Sequence, residues 1–407
     1  MKLWMRYSAG IVLGIVVGSV LPIGDGTIIG FLSQLGLNVG RYTILPLLFF
    51  LIPVSVFTLL EEKRLASVGL KTLLYIGVAA VAGVMLGGLL VIVLSPQRIP
   101  IIMADAAAPH IPVFQELVLQ VFPANAMVVL WGEGAYLLPP VVLALLLGFG
   151  FAKSHSFSEP VLDMFDSAAR LMYTINSWIV AITGILLIPI TAEMVLFIRG
   201  IDEFGLFSEV LFASLFGAGL VLFIGVPLAV YVLGKRGNPV TFLFSILPPA
   251  AAAAVSGNHV FALTTLMRTG RNNQGISRKA ESVVYTLSTL FCRAGTAMIA
   301  MIAFVVVMRS YSSLEISLFQ VVLVGVSTML ISVMLGAMPG GDILVLMALL
   351  STLHGRGIPE GYLILLPLVP LLIRVGAAVD VTVAAAIAQI VGVRSGMCKT
   401  VSPHHFI

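Results

Sequence analysis

Long apolar runs separated by short basic or glycine-rich stretches divide this chain. A helix that crosses a bilayer needs about 20 consecutive apolar residues, and on that measure residues 7–23, 42–60, 73–95, 207–233 and 280–308 read as spans. Two further regions are long but less regular. Residues 113–151 are interrupted at Pro123, Gly132, Gly134 and Pro139-Pro140, the pattern of one region broken into short helices. Residues 161–199 form a long span with Asp163, Asp166 and Arg170 where it begins.

After residue 239 the pattern changes. Pro248-Pro249, five alanines and Ser256-Gly257-Asn258-His259 sit inside an apolar stretch flanked by basic loops, which reads as a re-entrant hairpin over about 239–275. From 315 to 358, Gly336-Ala337-Met338-Pro339-Gly340-Gly341-Asp342 divides two short apolar arms, a second hairpin. Non-helical backbone at membrane depth is tolerated only where protein or a water-filled cavity satisfies its amides. Two such breaks in related positions point to a transporter's binding site. A final span, 361–393, carries Arg374 and Asp380 inside it.

Composition settles the solvent. Apolar residues make up 59% of the 407 and charged residues 10%, against about half and about a quarter in ordinary globular domains. Too little charge is left to cover a water-facing surface, so lipid is the solvent for much of the chain. The net charge of +4 does not indicate nucleic acid, because the cations collect in short loops. Placing the N- and C-termini in the cytoplasm puts Lys2, Arg6, Lys63, Arg64, Lys71, Lys153, Lys235, Arg236, Arg268, Arg271, Arg278, Lys279, Arg394 and Lys399 inside, with few cations outside. That asymmetry requires the first hairpin to enter from the cytoplasm and the second from outside, an inverted pair. Met1 to Pro22 reads as a retained first helix rather than a cleaved signal. Cys292 and Cys398 lie far apart and suggest no disulfide framework.

Charges inside membrane segments are costly and mark function by default. Arg293 sits mid-span in Cys292-Arg293-Ala294-Gly295-Thr296-Ala297, where local unwinding would free carbonyls and the Thr296 hydroxyl for a ligand; the plainer reading is an arginine paired for structure. Asp342 follows a helix-breaking Pro-Gly-Gly, so it fits either a simple helix cap or a group in a binding site. Asp380 with Thr382 offers the hard oxygens that small cations favour, or a buried pair with an arginine. Arg374 lies six residues from Asp380, about 600° around a helix, so the two do not share a face. Ser256, Asn258 and His259 at the first hairpin tip offer hydrogen bonds, and His259 could titrate near neutral pH, although the plainer reading of a tip histidine is that it is solvated. Asn125 reads as a satisfier of broken backbone and Glu61-Glu62-Lys63-Arg64 as a solvated loop. No phosphate loop, nucleophile elbow or metal-spaced His/Cys cluster is present, so enzyme chemistry and primary pumping are not indicated.

In the order of these breaks the chain resembles the glutamate/aspartate and dicarboxylate:cation symporters, the family that includes the excitatory amino acid transporters. Residues 40–72 resemble that family's second span and the loop after it, and VFPAN its V-P-x-N element. Met338-Pro339-Gly340-Gly341 resembles V-P-G-G/A, CRAGTA stands where the family has N-M-D-G-T-A, and DVTVAAAIA from Asp380 resembles D-L-T-G-T-A-I-V-A. The resemblance implies an all-α polytopic fold of eight transmembrane segments plus two re-entrant hairpins, assembled as a homotrimer in the cell inner membrane. Within it, a scaffold (1–72 and much of 101–233) would support a transport domain (73–100, part of 101–233, and 234–400) that moves like an elevator. It places substrate between the two hairpin tips and at Thr296, with the second tip (Met338, Pro339, Gly340 and Gly341) as outer gate and Asp380 matching a cation-binding aspartate. The residues themselves add Ser256, Asn258 and Arg374 as substrate-binding candidates, and Arg293, Asp342, Asp380 and Thr382 as candidates for charge coupling.

The departures are specific. Cys292, Arg293 and Ala294 replace the family's Asn-Met-Asp, which removes oxygen ligands for sodium and introduces a fixed positive charge. The triple serine of the first hairpin is missing, and in the Asp380 register Arg374 lies two positions from the substrate arginine. The expected function is secondary transport of a small anionic solute, such as glutamate, aspartate or a dicarboxylate, coupled to Na+, to H+ or to no ion. The alternative is a channel or sensor on the same fold.

Overall fold

Apolar runs of this length can satisfy their backbone amides in lipid only as helices, and helix is what the chain forms. The computed structural model describes residues 2–22, 26–100, 114–131, 136–201, 203–234, 238–311, 316–338, 342–355, 360–399 and 401–407. In chain order the helices are α1 (Leu3–Val20), α2 (Gly26–Arg41), α3 (Ile44–Glu61), α4 (Leu65–Leu94), α5 (Phe114–Val121), α6 (Leu138–Lys153), α7 (His155–Arg199), α8 (Ser208–Leu220) and α9 (Val226–Leu233). The second half contains α10 (Pro239–Ser256), α11 (His259–Asn272), α12 (Arg278–Phe291), α13 (Ala294–Tyr311), α14 (Leu318–Met334), α15 (Ile343–His354) and α16 (Val369–Arg394). Among the described residues, eight helical segments are long and apolar enough to cross a membrane.

Two features depart from the sequence reading, the length of the second span and a π-helical turn, and a third, the break at Arg293, agrees with the unwinding expected there. The second span is nearly twice as long as expected, Thr27–Glu61, because α2 continues into α3 through a turn at Tyr42 and Thr43. Its first half carries Ser33, Gln34, Asn38 and three interior glycines, a composition that reads as loop until a partner helix covers it. The span near 280–308 is two helices, α12 and α13, separated at Cys292 and Arg293. A single π-helical turn, Val221–Gly225, joins α8 to α9.

Helix contacts in lipid have no hydrophobic driving force and depend on close backbone approach. In α1, Gly10, Gly14 and Gly18 recur every fourth residue and lie on α7, where an added methyl would overlap the Gly184 carbonyl, Thr191 or Ala192. On α4, Gly83 and Gly87 lie in the same way against the Ala294 and Met298 carbonyls of α13. Burial grades the helices from rim to centre: 28% of the α1 window is covered, against 89% for α12–α13 and 83% for α16. The two central segments are the ones that carry Arg293 and Asp380.

Around that centre stand two helical hairpins. The first joins α10 to α11 through Gly257 and Asn258; Gly257 adopts φ +65°, the left-handed conformation that ends a helix in one step. The second pairs α14 with α15. Gly257 and Asn258 of the first hairpin, and Met338 and Asp342 at the facing ends of the second, line one cavity with Arg293 at the break between α12 and α13.

Candidate substrate site

The break in α12–α13 leaves the first amides of α13 without intrahelical partners, and the neighbouring helix supplies one. Asp380, 1% exposed on α16, accepts from the Gly295 amide at 2.6 Å, from the Thr296 amide at 3.3 Å through either oxygen, and from the Thr296 hydroxyl at 2.6 Å. It therefore caps α13 from outside that helix, with its negative charge at the positive end of the helix dipole. The close approach depends on small residues at the crossing, since a methyl on Gly376 would lie 3.3 Å from the Thr296 hydroxyl oxygen.

The hairpin tips repeat the device. Asn258 caps α11, accepting from the Val260 and Phe261 amides at 2.9 and 3.0 Å. Asp342 caps α15, accepting from Leu344 and Val345 at 2.9 and 3.2 Å. Three helix N-termini thus converge, each already holding a side-chain oxygen. Between them lies a cavity of about 230 Å³, lined by Asn258, His259, Thr289, Arg293, Thr296, Met338, Asp342 and, from the two residues just before α6, Tyr136 and Leu137.

Arg293 differs from the other charged groups here. It makes no hydrogen bond or ion pair to a described residue, and its Nε is buried without a partner. Each carboxylate is matched by a helix end, and the guanidinium is the charge left over. His259 stands beside Asp380, with Nε2 3.9 Å from Oδ2 and a side chain only 15% exposed, so the reading of His259 as solvated is corrected. Thr289 and Tyr136 escape a reading based on charge or motif. Thr289, three residues before Cys292, is the one whose position in the broken span signals it.

Of the residues singled out in the sequence, Asn258, Thr296, Met338, Arg293 and Asp342 line this cavity, and Asp380 lies directly behind Thr296. Pro339, Gly340 and Gly341 lie outside the described residues. Three others are turned to the backbone. Ser256 donates to the Ala252 carbonyl at 2.7 Å and Thr382 to the Ala378 carbonyl at 2.8 Å. Arg374 donates to Val255 and Pro370 carbonyls, both at 2.9 Å, tying α16 to the end of α10 rather than lining the cavity. Asn125 caps a short helical turn through a 2.9 Å bond from the Met127 amide.

A membrane-type helical core with a small polar cavity, placed where broken helices meet, defines a transport protein rather than an enzyme. The chain belongs to the sodium:dicarboxylate symporter family, whose profile matches residues 3–393. It is similar to neutral amino acid transporter A of Homo sapiens, at 24% identity over 61% of this chain and 45% of that protein. Neutral amino acid transporter B(0) of Oryctolagus cuniculus is 24% identical over 84% of this chain and 70% of its own length. A Caenorhabditis elegans relative named for sodium-dependent excitatory amino acid transport is 24% identical over 85% of this chain and 71% of its own. The match thus spans less than half of the human relative and about 70% of the other two.

Proposed function

We propose that the chain is a secondary transporter of a small carboxylate solute, an acidic amino acid or dicarboxylate, bound in the cavity between the two hairpin tips. The observation that carries this reading is the half-buried Arg293 side chain lining that cavity, whose Nε is buried with no hydrogen-bond partner among the described residues. A guanidinium presents a planar fork of donors that matches a carboxylate bidentately. Because Asp342 and Asp380 already accept from helix N-termini, an incoming carboxylate is the group that completes the site. The cavity volume suits a molecule of amino-acid size.

Coupling follows from the same residues. Asp380 is surrounded by N–H and O–H donors, not by the oxygen cage a hard cation needs. In this reading Arg293 supplies permanently the positive charge that a bound sodium supplies elsewhere in the family, and transport proceeds without sodium or with a proton. Two helical hairpins packed at the break of the central helix, in a chain of the sodium:dicarboxylate symporter family, support a homotrimer whose core moves like an elevator against its scaffold. Nothing in the fold, the cavity or the relatives favours the channel or sensor alternative.

Uptake of labelled glutamate, aspartate, succinate and malate into proteoliposomes tests the reading, with sodium, potassium or choline outside. Saturable uptake that persists in choline is expected. Arg293→Met should weaken apparent affinity by about 30- to 1,000-fold, the roughly 2–4 kcal/mol of a buried charged contact. Strict sodium dependence would overturn the coupling proposal, and failure to move any carboxylate would overturn the substrate class.

A further inference from the structure

A second cavity, of about 480 Å³, opens where the loop between α11 and α12 meets the segment after α16. Five cationic side chains line it: Arg64, Arg271, Arg278, Lys279 and Lys399. They come from three separate stretches of chain, and the backbone brings them together. Ile276 pairs with Cys398 in an isolated antiparallel bridge, the Ser277 amide donates to the Met397 carbonyl at 2.9 Å, and the Lys399 amide donates to the Gly275 carbonyl at 2.9 Å. Gly275 has φ +71°, and a methyl there would overlap the Lys399 carbonyl.

Counter-charge is incomplete. Arg278 bonds Asp166 at 2.7 Å, an aspartate that also takes Arg170, and Lys279 bonds Glu62. Arg64 reaches only the Ser395 carbonyl at 3.5 Å, and Arg271 lies 4.9 Å over the Tyr173 ring. Among the described residues, Arg64, Arg271 and Lys399 have no carboxylate within ion-pair distance. Glu281, buried on the first turn of α12 with neither oxygen hydrogen-bonded, does not line the cavity but acts electrostatically on Arg271 and Arg278 from beyond ion-pair distance. Two donors in the wall have no partner either: the Ser277 hydroxyl and Arg278 Nη2 are both buried and unbonded. Ser277 begins α12 and its side chain makes no cap bond, so that helix end also lacks an acceptor.

Two cations with no carboxylate partner among the described residues, Arg64 and Lys399, a third, Arg271, met only at a distance by Glu281, two orphan donors and a helix N-terminus without a side-chain cap around one cavity call for an anion with several acceptor oxygens. We propose that this cavity binds a phosphate group, carried by an anionic lipid headgroup or as the free ion. Tetrahedral phosphate accepts from guanidinium forks, ammonium groups and helix-end amides together. The cavity sits at the ends of α3, α11, α12 and α16, where apolar helices give way to polar loops, so headgroup phosphates are within reach. The site is independent of the substrate cavity, and it is read by binding rather than flux.

The test uses the full chain in nanodiscs of phosphatidylcholine alone or phosphatidylcholine with phosphatidylglycerol. Thermal unfolding is followed as inorganic phosphate is added against chloride of equal ionic strength. A higher midpoint in phosphatidylglycerol discs assigns the headgroup; a rise with inorganic phosphate in phosphatidylcholine discs assigns the free ion. Arg271→Gln and Lys399→Gln, both exposed and remote from the substrate cavity, should each weaken the half-maximal response about tenfold, the effect of one charge-assisted contact. No stabilisation of the wild type in either arm would overturn the proposal. So would two folded variants that respond as the wild type does.

Discussion

Asp380 holds three donors of the α13 terminus, so its removal strands all of them in a buried place. Asp380→Ala should lower stability by about 3 kcal/mol, read as a lower unfolding temperature in detergent. The loss should be the same in sodium and in choline, because the lost partners are amides and a hydroxyl; a loss confined to sodium would show a cation ligand instead. At this scale the sequence was partly legible. A charge inside an apolar run announces itself, and Arg293, Asp342 and Asp380 all lie at or beside the cavity. What such a charge bonds to depends on which helix crosses it. The Asp380 partners are 84 and 85 residues away, and Arg374 proved to face two carbonyls. His259 was misread because a hairpin tip seen in one dimension looks solvated, whereas here it is closed over by the break in α12–α13.

Helices in this fold are fitted by glycine, and two glycines give opposite predictions. Gly10 of α1 touches the Gly184 carbonyl of α7, whereas nothing lies within 4 Å of a methyl placed on Gly150 of α6. Gly10→Ala should destabilise by about 2 kcal/mol through overpacking. Gly150→Ala should be neutral or stabilise by up to about 1 kcal/mol through helix propensity. Unfolding of both variants in one detergent checks the pair; equal effects would mean that α1 and α7 are not in this contact. Most of the apolar spans, and the breaks that separate α10 from α11 and α14 from α15, were readable because length and Pro-Gly breaks are local signals. The helix α2 was not, because its polar and glycine-rich face makes sense only once α7 lies against it. The fourfold glycine spacing in α1 was also legible as a packing stripe and escaped a reading centred on charge.

Across the whole molecule, the first hairpin is bonded to the peripheral helices. The Asn176 amide of α7 donates to the Thr264 carbonyl at 3.1 Å while accepting from Thr43, the Tyr7 hydroxyl of α1 meets Thr265 at 2.8 Å, and Arg268 reaches the Ser177 carbonyl at 2.6 Å. If the core slides as proposed, these bonds hold only one end of the movement. Asn176→Ala should then lower thermal stability by about 2 kcal/mol and raise the transport rate together; a stability loss with no change in rate would mean that the two parts do not move past each other. The thiols have a consequence of a practical kind. Cys292 is 3% exposed beneath the substrate cavity, and the Cys398 sulfur donates to the Gln274 carbonyl at 3.1 Å under the docked tail. Burial also pushes the Cys398 thiol above its ordinary pKa, which withholds the thiolate that reacts with maleimides. The native chain should therefore take up little maleimide at neutral pH until it is unfolded, as intact mass would show. A fluorophore or spin label attached at one introduced cysteine would then report on hairpin motion with both native thiols left in place.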